Sequence, residues 1–510
     1  MTRFRRSLVP LVTAAVTALA AAAWAEAIFS VNDAGTGVFD QPSVVANGTV
    51  LHLAFVGDNA ATGNFRLYYA AVSGAADFKS AATTRSQVLL TPPYPIDNTL
   101  FDDARHPQIA LRSAKELVIL FQAVPAGGAD PKLFRALVTV DNNAVQSADV
   151  KEVMDPSTGR MAGRLADPSF APVAADNSLR IAYTDNSTGD VYYARVGIDN
   201  AFLVGSPIRL TRPGTQGSAP RPRLGLEGTT RAHVAWSSET AASTSAVYYS
   251  MVKEATKGVD NLAIGATAVL QGPYNWRFPN VLLPAGGFVL LLAGDDAGVP
   301  GKPGLLGTAY VDPNAVTHDG NPVTPGNTIA GKSFFVFPPD SNTPLSPTFS
   351  VFRPEASIDG SKRIHVAGYG SSSGPFVNAG IYYTMSLLGV TSTTGETAAL
   401  ISPGVPIGID NSAFADSIPG DYTRPAFVHF SGKAIHFWSG PDNTVAGTRN
   451  LFVTSTVSSS DPPVPVKQSG CSMVGEPRRG EAERVPGAAV LLLPAAFLAM
   501  RKRIRKAVAR

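Results

Sequence analysis

An arginine stands directly before a repeat-opening proline at three places, Arg221-Pro222, Arg353-Pro354 and Arg424-Pro425, and two positions before one at Arg105 and Arg277. A guanidinium offers a rigid fork of donors that suits carboxylate or phosphate recognition. Five arginines close before the recurring proline could converge on a shared anion. The reading with fewer demands is that they precede a turn, or pair with Asp103, Asp167 or Asp421 nearby.

Other groups have weaker claims to chemistry. His52, His233, His365 and His436 recur at one position. Four histidines suggest zinc, but each falls in a different copy of the repeat described below. They read instead as histidines packed in a sheet with bonded ring nitrogens, and no metal is assigned. The tyrosine pairs 68/69, 192/193, 248/249 and 382/383 place one ring on each face of a strand. One ring of each pair is expected to fill a contact between repeats. Asp185-Asn186-Ser187-Thr188-Gly189-Asp190 is rich in oxygen ligands, yet it lacks the spaced bidentate acid that calcium loops use and reads as a hairpin loop. No Ser-His-Asp set, phosphate loop or CxxC motif is present, and no cofactor is assigned.

The elements that position these residues are strands. Asp167–Val196 reads as three short strands, near Phe170–Ala174, Leu179–Tyr183 and Val191–Val196. They are rich in β-branched and aromatic residues, with Asx and Gly turns between them. The unit occurs seven times, opened by prolines 42, 107, 168, 222, 279, 354 and 425. Val88–Thr91, Ile208–Thr211, Val269–Gln271 and Leu400–Ser402 supply fourth strands. Four-stranded units repeated around an axis make a β-propeller. The expected fold is therefore all-β: a seven-bladed β-propeller of four-stranded antiparallel blades. The last copy lacks an outer strand, and Ala27–Val31 is predicted to supply it and close the ring.

The sequence divides into a signal peptide over 1–25, a propeller over 26–457, a linker over 458–485 and a C-terminal apolar helix with a basic tail over 486–510. The leader has Arg3, Arg5 and Arg6, an apolar run, and a small-x-small cleavage site ending at Ala25. Cys471, the single cysteine, lies in the linker, so the propeller holds no intrachain disulfide. Without the leader and the residues beyond Gly470, the body has 30 basic against 36 acidic residues. That balance argues against nucleic acid as a partner.

The C-terminal layout resembles bacterial sorting signals, in which a short motif, an apolar helix and an Arg-rich end are read by a membrane protease. The resemblance implies processing or lipid attachment near Cys471. A plain C-terminal membrane anchor is the alternative. Both place the body outside the cytoplasm, at the cell surface or outer envelope.

The runs Ile181-Ala182-Tyr183-Thr184-Asp185-Asn186 and Val247-Tyr248-Tyr249-Ser250, with Trp276-Arg277-Phe278-Pro279, resemble degenerate sialidase repeats. Arg105-His106-Pro107 is similar to the same Arg-x-Pro motif. The resemblance implies an arginine triad for a substrate carboxylate, at Arg277, Arg353 and Arg424. It would make Tyr422 the candidate nucleophile. The Ser-x-Asp-x-Gly-x-Thr-Trp box of that family occurs nowhere. The favoured reading is an exported, surface-attached module that binds a glycan, an anionic ligand or a protein without catalysis. A sialidase-like glycosidase and a purely structural envelope protein are the alternatives.

Overall fold

In the computed structural model, residues 28–457 are described apart from connecting segments, the longer being 254–261, 296–304, 312–327, 336–349, 372–379, 390–398, 411–423 and 442–447. The expected signal peptide, Ala25, Tyr422, Cys471 and the C-terminal segment lie outside the described residues.

Nearly every described element is a strand. After β1 (Phe29–Ser30) comes a meander of β2 (Val38–Asn47), β3 (Val50–Asp58), β4 (Arg66–Ser73) and β5 (Leu89–Pro95). The second holds β6 (Phe101–Leu111), β7 (Glu116–Pro125), β8 (Lys132–Asp141) and β9 (Ala144–Glu152). The third holds β10 (Leu165–Val173), β11 (Ser178–Asp185), β12 (Asp190–Gly197) and β13 (Ile208–Arg209). The fourth runs through β14 (Arg223–Glu227), β15 (Arg231–Thr240) and β16 (Thr244–Lys253), on which β17 (Leu262–Ala263) and β18 (Thr267–Leu270) both pair. The fifth holds β19 (Trp276–Leu282), β20 (Val289–Asp295), β21 (Leu305–Val311) and β22 (Thr328–Phe335). In the sixth, β23 (Ser350–Ile358) and β24 (Arg363–Ser371) lead to β25 (Gly380–Gly389), which carries β26 (Ala399–Pro403) and β27 (Ile407–Asp410). The last holds β28 (Ala426–Phe430), β29 (Lys433–Pro441) and β30 (Arg449–Val457).

Among the described residues these strands form six hydrogen-bonded sheets, and the eight-stranded one contains both the last meander and the first. The protein is an all-β propeller. Its closure matches the sequence expectation: β1 pairs antiparallel with β30, Phe29 opposite Val453 and Ser30 opposite Phe452. A parallel bridge, Val38 to Arg449, joins β30 to β2.

The sheets pack face to face because their middle strands are apolar on both sides. In β3, Leu51, Leu53 and Phe55 join the core shared with the last meander, while Ala54 and Val56 face the second. That is the period-two division of a strand buried on both faces. The first tyrosine pair departs from the expectation of one interface ring per pair. Tyr68 fills the core toward the last meander and Tyr69 the core toward the second. Outer strands are wetter, as the mostly exposed and half-buried β9 shows.

The prolines also correct the sequence reading. Pro42, Pro107, Pro168, Pro279 and Pro354 do not open their strands but lie inside β2, β6, β10, β19 and β23. At each, the ladder to the neighbouring strand skips: after Asp40, Arg105, Ala166, Arg277 and Phe352. A proline has no N–H for the ladder, so a bulge is where a strand tolerates it.

Candidate functional site

The residue before six of the seven recurring prolines has left-handed backbone. Gln41, His106, Asp167, Arg221, Phe278 and Arg353 have φ between 46° and 55°. Non-glycine residues adopt this conformation at a cost of about 1–3 kcal/mol each. It recurs because the bulge turns the side chain out of the sheet's alternation. Those at positions 41, 106, 167, 221 and 278, together with Arg424, line one cavity of about 240 Å³, joined by Arg223 and Glu355. The innermost strands of separate meanders thus contribute one wall each.

The cavity has two chemically distinct sides. On one, the His106 backbone N–H donates to Gln41 Oε1 at 2.7 Å, and His106 Nδ1 lies 2.8 Å from Asp167 Oδ1. The Asp167 N–H donates to Gln122 Oε1 at 3.3 Å. On the other side three guanidiniums gather around the buried Phe278 ring. Arg221 lies 4.5 Å from its centroid, Arg424 4.7 Å and Arg353 5.8 Å, within cation–π reach. Arg223 Nη2 donates to Glu355 Oε2 at 2.8 Å, and Arg424 Nη1 lies 3.7 Å from the same oxygen.

The charges do not balance. Among the described residues, Arg221, Arg223 and Arg424 line the cavity with Asp167 and Glu355, an excess of one positive charge. Burial, then Arg223 and Arg221, hold the Arg424 pKa well below its usual value despite Glu355 and Asp167. Burial alone would raise the Asp167 carboxyl, but His106, Arg221 and Arg424 outweigh it and hold the group below the usual carboxylate range. The site is a cationic half-ring facing an ionised carboxylate, a geometry suited to holding an anion.

The expected site residues separate. Arg221, Arg353 and Arg424 meet. Arg277, one residue before Phe278, pairs through its backbone with Gly294 and does not line the cavity. Arg105 lies 3.0 Å from Asp103 and 3.8 Å from the Phe65 ring, also off the cavity. The bulge explains this: one residue of register moves a side chain from the channel to the neighbouring loops. The triad that gathers therefore includes Arg221 in place of Arg277. Sequence reading named Asp167 only as a possible partner of these arginines, and it missed Gln41, His106, Phe278, Arg223 and Glu355. The signal was present: Gln41, His106, Asp167 and Phe278 stand before the proline in their copies, and Arg223 and Glu355 directly follow it.

The recurring histidines make a different pattern. His52, His233 and His365 each place Nδ1 2.7 Å from the hydroxyl of Tyr69, Tyr249 and Tyr383. The Nε2 of His233 faces Glu227 at 3.3 Å, and that of His365 faces Asp359 at 3.2 Å. A neutral ring donating from Nε2 and accepting at Nδ1 satisfies both partners. His436 is buried against the Tyr383 ring at 4.9 Å. No group of metal-ligating side chains occurs among the described residues. Asp185 closes its own turn, accepting from the Ser187 N–H at 2.9 Å and the Arg164 N–H at 3.3 Å.

No protein-family model and no curated protein matches the chain. Solved structures similar to it include the β-propeller domain of the Trilobed protease from Pyrococcus furiosus, at 8% identity and TM-score 0.40, over 86% of this chain and 100% of that one. A subtype N11 neuraminidase-like protein of A/flat-faced bat/Peru/033/2010 (H18N11) is similar at 11% identity and TM-score 0.39, over 84% and 99%. A GH43 endo-arabinanase from Bacillus licheniformis is similar at 12% identity and TM-score 0.29, over 52% and 92%. The fold rests on the strand pairing above rather than on these scores.

Proposed function

We propose that the chain is an exported, surface-attached propeller of seven blades that binds a small anionic ligand in its central cavity and does not turn it over. The blade count rests on seven meanders, each packed on the next, and on the pairing of β1 with β30. Export and attachment rest on the leader, the Cys471 linker and the basic C-terminal end in the sequence. The binding role rests on one observation above all: Arg221, Arg353 and Arg424, from separate meanders, share the Phe278 ring beside an excess of positive charge. A bound anion relieves the mutual repulsion of these buried cations.

The same cavity bears on the glycosidase alternative. General acid catalysis needs a carboxyl held protonated near neutrality, whereas Asp167 is held ionised. No tyrosine lines the cavity among the described residues. Binding assays with a panel of small anions test the proposal. Arg424→Gln is expected to weaken the tightest of them at least tenfold with the fold intact. Release of a reporter from a sialoside, abolished by Arg424→Gln, would replace the binding role with the enzyme. Silence in both assays would leave a structural envelope protein.

A further inference from the structure

Two buried valences of opposite sign border the cavity. Asp167 Oδ2 and Arg424 Nη1 have no hydrogen-bond partner among the described residues, and both residues line the space. Asp167 is 7% exposed. A buried polar atom in a folded protein is normally paired, so each orphan asks something of a ligand. Arg424 Nη1 has the Glu355 carboxylate 3.7 Å away, beyond hydrogen-bond distance, and can still donate to an acceptor carrying charge. Asp167 can only accept when ionised, and so asks for a donor.

Few small ligands meet both demands within one compact group. Sulfate, a sulfonate or a simple carboxylate brings acceptors alone and sets them against Asp167. An ammonium supplies donors but adds positive charge where it is already in excess. A neutral sugar supplies hydroxyls and leaves the arginines unneutralised. Hydrogen phosphate carries two negative charges and one P–O–H donor. It brings charged oxygens to the arginines, and it offers Asp167 a proton.

We propose that the cavity recognises a protonated phosphorus oxyanion, with Asp167 Oδ2 accepting the P–O–H proton and the Arg424 side holding the charged oxygens. The inference deepens the proposed anion-binding role and rests on it. Either inorganic phosphate or the acid form of a phosphomonoester supplies this chemistry. A single water needs only about 10–15 Å³ of such space, so 240 Å³ leaves room for a small organic substituent.

The test is calorimetric titration of the full chain with inorganic phosphate and with sulfate, at matched ionic strength. The two ions have similar size and shape and differ in the proton. Phosphate is expected to bind at least tenfold more tightly, since a hydrogen bond to an ionised acceptor is among the strong ones. Asp167→Asn can donate as well as accept, and should bring the two affinities within twofold. Arg424→Gln should weaken both ions and keep their ratio. Should Asp167→Asn not fold, the ratio in the unaltered protein decides alone. Equal binding of phosphate and sulfate overturns the inference while leaving an anion site. Binding of neither overturns the anion site as well. Glycerol phosphate separates the sources. A monoester loses its second proton near pH 6, so its binding should fall above that pH if the acid form is the ligand. Tighter binding of inorganic phosphate, held across the same range, identifies the free ion.

Discussion

A His–Tyr contact recurs in three meanders with one length, 2.7 Å, for His52–Tyr69, His233–Tyr249 and His365–Tyr383. Each histidine sits two positions diagonally from its tyrosine across an antiparallel pair, as His52 opposite Ala71 shows. The contact closes a polar gap inside a sheet stack that is otherwise apolar. Removing the hydroxyl should therefore orphan a buried nitrogen, at about 1–3 kcal/mol. Tyr249→Phe is expected to lower the urea midpoint accordingly. Tyr94→Phe, at a ring 44% exposed, should stay within about 0.5 kcal/mol of the unaltered protein. Equal midpoints for the two variants would mean that the pair is incidental.

At the scale of elements, the inner strands are stitched in alternation. Ser43 Oγ accepts from the Ile109 N–H, Ser169 Oγ from Leu224, and Asn280 Oδ1 from Ala356. Meanders one, three and five thus present a short polar side chain to the strand that follows. Two and four set Gln108 and Arg223 at that place and six sets Glu355, and all three line the cavity. The latch at β1 is local too. Arg85 donates from Nε to the Ser30 carbonyl and from Nη2 to the Val31 carbonyl, both at 2.8 Å. Asn32 bridges to Asn450 and Leu451 at 2.7 Å. Arg85→Met should remove two charge-assisted bonds, about 1.5–3 kcal/mol for each in comparable cases. Hydrogen exchange should then quicken along β30 while β7 stays protected. Uniform protection would show that the ring closes without the latch.

Across the whole molecule, four buried histidines and the half-buried His429 share one acid liability. Burial lowers His52 and His233 to about 4 and His429 and His436 to about 3, and it lowers His365 as well. The folded protein keeps them neutral, while an unfolded chain takes up their protons near pH 6.5. Between about pH 6.5 and 4 the unfolded state binds more protons, so stability is full above that window and declines as pH falls through it. Urea midpoints measured down from neutrality should drop steeply across this range. A flat profile would contradict the burial of these rings.

The repeat, the all-β class and the strand that completes the last sheet were legible in the sequence. Each is a matter of local pattern: alternation, aromatic pairs, and a proline at a fixed place in every copy. The recurrence of arginine beside that proline was legible too. Which arginines meet was not. Side-chain direction along a strand follows from a period of two, and the bulge at five of the prolines breaks that period through a left-handed residue that no residue type announces. The company of Phe278, Asp167 and His106 around Arg221 and Arg424 depends on that bulge and on closure of the ring. Both are properties of the folded ladder, set by backbone bonds between distant strands, and they decided where the charges gather.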